Sequence, residues 1–288
     1  MSSGTKVRTP VVLAIGGLDP SGGAGIIADV RSITAAGCHA AAAVTSITFQ
    51  NSDKVAGAEH LTADTVRHQV LAVLDEHNVA AVKTGMLPTA EIVEAIADII
   101  SERRLPNLVI DTPIRSTSGF PLIDDDALKS IIKHLFPLAT LVTPNVPEAE
   151  HIAEFTITSL ADIETAVSTI RSLGAANILI KGGHLPDAIN TNAEGKRVSN
   201  DFLFHDSQMT MLESIYIDSS PPPSSLSSVN YPLSTATRGT GCTLASSIAA
   251  NLALGKDLPE SVRSAKRFVY ELIAQQMEYV QVSAERTE

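Results

Sequence analysis

The chain has 288 residues, 44% of them hydrophobic but only 4% aromatic and none tryptophan, so its core is built from Ala, Ile, Leu and Val, which suits alanine-rich helices on β-branched strands. A net charge of −11 excludes a general nucleic-acid or anionic-membrane surface, which needs an excess of Lys and Arg, so an anionic ligand must be met locally. Cys38 and Cys242 form neither a disulfide framework nor a zinc pattern and suit a reducing compartment. With no signal peptide or membrane span legible, a cytoplasmic protein is expected, without nucleic-acid or membrane partners.

In chain order, Val11 to Ile15 is a short apolar run stopped by Gly16-Gly17, which reads as a buried first strand. The glycine-rich turn Leu18 to Gly25 leads into a helix from Ile26 to Ala36 closed by Gly37, and is one candidate ligand loop. Asp29, one turn into that helix, reads on its own as a solvated carboxylate. His39 to Phe49 contains a strand ending at Gln50-Asn51. Thr62 caps a helix to about His77, Ala80 to Thr84 is a strand stopped by Gly85-Met86, and Thr89 caps a helix to Arg103. Leu108 to Asp111 is a strand, followed by the polar loop Thr112 to Gly119 and a helix from Asp124 to about Phe136. Leu141 to Thr143 is a strand, after which Pro144 to Glu148 turns into a helix with Pro147 in its first turn. A helix from Asp162 to Leu173 precedes the strand Ile178 to Lys181 and the turn Gly182-Gly183-His184.

This alternation calls for a mostly parallel sheet with helices on both faces, and its ligands belong outside the carboxyl ends of the strands. Asp201 to Asp206 and Met209 to Ile217 read as antiparallel edge strands, and residues 218–230 as a flexible Ser/Pro-rich surface insertion within a single domain spanning 1–288. Arg238-Gly239-Thr240-Gly241-Cys242-Thr243 then runs into the small-residue helix Leu244 to Leu254. Glycines let the backbone approach an oxyanion, and the helix start adds unpaired donors, so this turn is a candidate phosphoryl cradle. Cys242 at such a position, beside Arg238, is expected to have a lowered pKa and to accept a proton from a substrate hydroxyl or to orient it. The final helix runs from about Pro259 to Tyr279.

Five separated motifs, Gly17 to Gly25, Lys83 to Met86, Thr143 to Ala149, Lys181 to His184 and Gly239 to Thr243, occur in an order that resembles the hydroxymethylpyrimidine/phosphomethylpyrimidine kinases of thiamin biosynthesis. That family belongs to the ribokinase-like superfamily, so the resemblance implies a three-layer α/β/α fold. It also implies MgATP-dependent phosphorylation of 4-amino-5-hydroxymethyl-2-methylpyrimidine and then of its monophosphate, by a homodimer. By the same resemblance, Gly17, Asp29, Gln50 and Met86 match positions around the pyrimidine, and Pro113 is a further substrate-binding candidate. A carboxamide such as Gln50 can pair with both the donor and the acceptor of an aminopyrimidine edge, and the Met86 thioether suits its face. Asn145 and Glu148 match an Asn-x-x-Glu element that organises Mg²⁺ and phosphate, in keeping with magnesium's preference for oxygen ligands and retained water. Lys181 matches a position near the ATP phosphates and Gly239, Thr240, Gly241 and Cys242 the catalytic anion hole, while Arg238, next to that turn, is a further candidate to neutralise ATP phosphate charge.

Two departures from the family pattern bear on substrate choice. Arg238 stands where the family has histidine, and Asp111-Thr112-Pro113-Ile114-Arg115 replaces an Asp-Pro-Val-Met-Val-like run. Arg115 turned to solvent, Arg115 meeting a phosphate and Arg115 filling the pocket are three open readings. Two alternative functions stay open beside the thiamin-pathway reading: a pyridoxal-type vitamin kinase, and a weakly catalytic paralogue that binds the pyrimidine.

Overall fold

The computed structural model describes residues 9–116, 118–183, 185, 186, 189–216 and 239–285. Strand β1 (Val11–Leu18) leads through helix α1 (Gly25–Ala35) to β2 (His39–Gln50) and β3 (Val55–His60). The alternation continues through α2 (Ala63–Glu76), β4 (Val79–Thr84), α3 (Ala90–Arg103), β5 (Leu108–Ile110), α4 (Asp125–Ser130), β6 (Leu141–Val142), α5 (Val146–Ala153), α6 (Leu160–Ser172) and β7 (Ile178–Ile180). A hairpin, β8 (Val198–His205) and β9 (Gln208–Ile215), precedes α7 (Thr240–Ala253) and α8 (Leu258–Glu285). The expected insertion at 218–230, Arg238 and His184 lie outside the described residues.

Among the described residues, nine strands form one sheet in the order β3-β2-β1-β4-β5-β6-β7-β8-β9. The six from β2 to β7 pair in parallel, and β3, β8 and β9 are antiparallel additions at the edges. Successive side chains of a strand point to opposite faces, so each central strand feeds two cores. Leu13, Ile15, Val82 and Ile110 pack with α2 to α6, whereas Val12, Ala14, Ala81 and Val109 pack with α1, α7 and α8. Burial of residues such as Ile15, Ile96 and Phe136, each fully enclosed, contributes about 1.5–3 kcal/mol apiece. The result is the three-layer α/β arrangement expected. Among the described residues, no helix is long and apolar enough to cross a membrane.

Helix starts follow the side chains that satisfy their first amides. Thr62 accepts from the Thr65 N–H at 3.2 Å, Thr89 from Ile92 at 3.4 Å and Asp124 from Ala127 at 2.7 Å. Two local expectations are corrected, and one strand was not anticipated. Gly16 and Gly17 do not stop β1, because both still pair with β2, across a register shift between them. Strand β3 escapes a sequence reading since Val55 is its only β-branched residue, and pairing with β2 holds it. Helix α7 begins at Thr240 rather than Leu244, so Gly241 and Cys242 lie in its first turn.

From β1 the chain passes to β2 on one side, and later to β4 on the other. That reversal opens a crevice beyond the carboxyl ends of β1 and β4, where an open α/β sheet takes its ligand.

Candidate active site

A cavity of about 480 Å³ occupies this crevice. Gly16 and Gly17 at the end of β1, and Gly85 and Met86 after β4, line one part of it. Met86 is buried with its sulfur lying over Gly17, where an added Cβ would come within 2.9 Å of it. Its carbonyl accepts from the Thr45 hydroxyl at 2.6 Å, which fixes the segment beneath. Gln50 stands on the wall at the end of β2, its Oε1 accepting from the Thr48 hydroxyl at 3.1 Å. Toward the mouth come Asp53 and Lys54 of the β2–β3 turn, and Pro113, Arg115 and Ser118 from the loop after β5. The Val55 N–H donates to Ser118 Oγ at 3.3 Å and ties the two loops together. Arg115 is exposed and donates to the Gly119 carbonyl at 3.4 Å, so it edges the mouth rather than filling the pocket.

Beneath the cavity runs a row of alternating charges. Lys83, fully buried in β4, places Nζ 2.9 Å from both carboxylate oxygens of Asp29 and 4.0 Å from Asp111 Oδ2. The Ser246 hydroxyl donates to Asp29 Oδ1 at 2.7 Å. Lys181 Nζ lies 2.9 Å from Asp111 Oδ1 and 3.9 Å from Glu148 Oε2. Burial by itself lowers a lysine pKa, but the facing carboxylates, Asp29 for Lys83 and Asp111 for Lys181, more than offset it and hold both ammonium groups charged. Burial raises Asp29 above the ordinary aspartate range, against the pull of Lys83 and Ser246. Asp111 is also buried, yet Lys181 and Lys83 hold it below that range. Asp29 is therefore an internal charge at the cavity wall, not the solvated carboxylate that its helical position suggests.

The turn before α7 closes the other side. Gly239 is left-handed, at φ +71°, and a Cβ there would strike the Gly23 carbonyl of the loop after β1, so no other residue fits. Asp19 shapes that loop from within, accepting from the Ser21 N–H at 2.9 Å, the Ser21 hydroxyl at 2.7 Å and the Ala24 N–H at 2.9 Å. Gly241 and Cys242 follow in the first turn, where amides have no partner within the helix. A Cβ built on Gly241 would lie 3.2 Å from Lys181 Nζ, so the helix start and the lysine frame one space. The expected lowering of the Cys242 pKa is overturned. Burial pushes the thiol up to about 12, with Asp111 and Asp29 adding to the effect and Lys83 opposing it. The thiol therefore keeps its proton at neutral pH.

Asn145 and Glu148 form a reciprocal cap at the start of α5. The Asn145 N–H donates to Glu148 Oε2 at 2.7 Å, and the Glu148 N–H to Asn145 Oδ1 at 2.9 Å. Burial, with Asp111 nearby, raises Glu148 to about 7 despite Lys181.

Gly17, Asp29, Gln50, Met86, Pro113, Glu148, Gly239, Gly241 and Cys242 thus line one cavity, with Lys181 beside Gly241 and Asn145 capping the helix that carries Glu148. Thr240 sits between Gly239 and Gly241 in the same turn. Sequence reasoning missed Lys83, Asp111 and Ser246 as parts of the site. A lone lysine inside the apolar strand Val79–Thr84 was the available signal, since a charge buried on both faces must be paired.

The phosphomethylpyrimidine kinase family matches residues 19–285. A hydroxymethylpyrimidine/phosphomethylpyrimidine kinase of Streptomyces coelicolor is 36% identical over 264 residues, covering 91% of this chain and 88% of its own length. Among solved structures, the phosphomethylpyrimidine kinase of Clostridium difficile superposes with a TM-score of 0.73 at 32% identity, covering 92% of this chain and 100% of that one. The Bacillus subtilis pyridoxal kinase in complex with ADP gives a TM-score of 0.74 at 31% identity, covering 91% and 90%. A match over nearly the whole chain, on a fold whose ligand crevice gathers the residues above, has a single consequence: this chain belongs to the phosphomethylpyrimidine kinase family.

Proposed function

We propose that the chain transfers the γ-phosphoryl group of ATP to the hydroxymethyl oxygen of 4-amino-5-hydroxymethyl-2-methylpyrimidine, and a second one to the resulting monophosphate, in thiamin biosynthesis. The observation that carries this reading is that one cavity joins the Gly17–Gln50–Met86 wall to the anion turn and to the Lys181–Asp111–Glu148 charges. Family membership supports it. In each step the bond from the γ-phosphorus to the bridging oxygen breaks, ADP leaves, and a new bond forms to the acceptor oxygen.

The donor set suits Mg²⁺, with Asn145 and Glu148 as the holders. Both offer hard oxygens, and no group of three or more His, Cys, Asp or Glu among the described residues could hold a metal alone, so water and phosphate oxygens would complete the shell. Bound there, Mg²⁺ would neutralise charge on the phosphates. The chain's own residues do the rest by positioning and charge stabilisation. The Gly241 and Cys242 amides receive the phosphoryl oxygens, and Lys181 and Arg238 balance their charge. Gln50 pairs with the pyrimidine edge, Met86 and Pro113 pack on the ring, Gly17 lets it approach, and Asp29 fixes Lys83 beneath it. Cys242 orients the acceptor hydroxyl. With Sγ protonated at neutral pH, the hydroxyl loses its proton as the new bond forms rather than before it, to an oxygen of the transferred phosphoryl group and from there to water. The second acceptor, a phosphate monoester, is already anionic and needs no base.

We further propose that residues 1–288 act as a single kinase domain, in the cytoplasm, as a homodimer that does not act on nucleic acid. A pyridoxal-type acceptor is the second reading, favoured by the pyridoxal kinase among the structural relatives. Phosphate transfer from [γ-³²P]ATP to hydroxymethylpyrimidine, its monophosphate and pyridoxal tests both. Labelled pyrimidine monophosphate and diphosphate are expected. Labelled pyridoxal phosphate alone would move the assignment to the second reading, and no transfer would reject both.

A further inference from the structure

Lys181 stands at the end of β7, and the residue after it is held on both sides. The Gly182 N–H donates to Asp201 Oδ1 at 2.8 Å, and the Gly182 carbonyl accepts from Asn190 Nδ2 at 2.9 Å. Neither partner is a neighbour in sequence: Asp201 lies on β8, and Asn190 in the connection before it. Both are themselves anchored. Lys266 of α8 donates from Nζ to Asp201 Oδ2 at 2.5 Å and to the Ser199 carbonyl at 3.0 Å, and Asn190 Oδ1 accepts from the Asn200 N–H at 3.2 Å. Asn190 is 1% exposed and Asp201 7%. A Cβ at position 182 would strike the Asn200 carbonyl, so glycine is required for the turn to lie this close to β8. On the other side, the Lys181 N–H donates to the Pro144 carbonyl at 2.9 Å.

We propose that Asp201, braced by Lys266 and assisted by Asn190, is a positioning residue that sets where the Lys181 ammonium stands between Asp111, Glu148 and the Gly241 amide. Asp201 touches no reacting atom. It acts through the backbone of Gly182, which carries the preceding side chain with it. Because Lys266 comes from the last helix, α8 reaches the phosphoryl side of the cavity through this buried carboxylate as well as through its packing on α7. Misplacing a charge by about 1 Å can cost on the order of 10²-fold in rate, so a loosened turn should be felt in turnover rather than in acceptor binding. The role in turnover rests on the kinase reading above, while the clamp itself does not.

Two measurements on the full chain separate these levels. Amide hydrogen exchange compares wild type with Asp201→Ala and Asp201→Asn. Loss of protection at residues 178–183 in the alanine variant, with β1 and β4 still protected and the asparagine variant close to wild type, is expected. Unchanged protection at 178–183 in Asp201→Ala would overturn the clamp. Steady-state kinetics, well below the melting temperature of each variant, then reads the consequence. A kcat lower by about 10- to 100-fold in Asp201→Ala is expected, with the pyrimidine KM within about threefold and most of the rate recovered in Asp201→Asn. A folded Asp201→Ala with wild-type kcat would overturn the positioning role and leave Asp201 as simple bracing for α8. A wild-type chain that transfers no phosphate would reject the kinase reading, and the exchange result would still decide the clamp.

Discussion

Lys83 and Asp29, 54 residues apart in sequence, meet through two 2.9 Å hydrogen bonds, with both side chains only 1% exposed. An ion pair so enclosed is sustained by its geometry and by its third partner, Ser246, because both charges have given up their water. Lys83→Met leaves the Asp29 carboxyl without its cation, and a loss of about 3–5 kcal/mol in urea-unfolding stability is expected. Changing both together, Lys83→Met with Asp29→Leu, should recover a large part of that loss. A Lys83→Met chain as stable as wild type would show that the pair is not held as described.

Cys242 separates the two phosphorylation steps. With the thiol proton retained, Cys242→Ala should slow transfer to the alcohol by about 10²- to 10³-fold. Transfer to the monophosphate, whose oxygen is already anionic, should fall by less than about tenfold. Rapid-quench measurement of each step gives the two ratios. Equal losses in both would mean that the thiol acts on the phosphoryl group rather than on the acceptor hydroxyl.

Glu148 predicts a pH dependence of stability in the ligand-free chain. Its folded pKa of about 7 stands above the ordinary value of 4.5, chiefly through burial. Between those values the folded chain keeps a proton that the unfolded chain has released, so this residue's contribution to stability falls as pH rises through the window. Urea midpoints of wild type and Glu148→Gln should therefore diverge from pH 5 to pH 7.5, the variant losing less. Parallel curves would contradict the raised pKa.

The anion turn allows no side chain. Gly239→Ala must adopt φ +71° against the Gly23 carbonyl, and Gly241→Asp puts a carboxylate within reach of Lys181, in the space meant for phosphate. Each should lower kcat by about 10²- to 10³-fold, and Gly241→Asp should also weaken nucleotide binding as read by calorimetry. Unchanged turnover in Gly241→Asp would remove the turn from the mechanism.

Where short-range physics decides, the sequence was readable. Thr62, Thr89 and Asp124 announce their helices because a cap acts over three residues, and the glycine turn before α7 announces itself because few other residues reach left-handed backbone. The alternation of strand and helix made the layers legible for the same reason. What escaped depends on partners distant along the chain. Lys83, Asp111 and Ser246 become a site only when β4, β5 and α7 meet, and Asp201 matters only because β8 lies against Gly182. The reading of Cys242 failed on the same ground: a helix start lowers a thiol pKa, but burial beside Asp111 and Asp29, neither close in sequence, outweighs it.

The most direct measurement is a ³¹P NMR time course of one sample containing the chain, MgATP and hydroxymethylpyrimidine. Pyrimidine monophosphate should rise first, then decay into the diphosphate, while ADP accumulates at two equivalents per pyrimidine consumed. ATP left intact, or ADP formed without any phosphorylated pyrimidine, would contradict a kinase that uses this cavity for both steps.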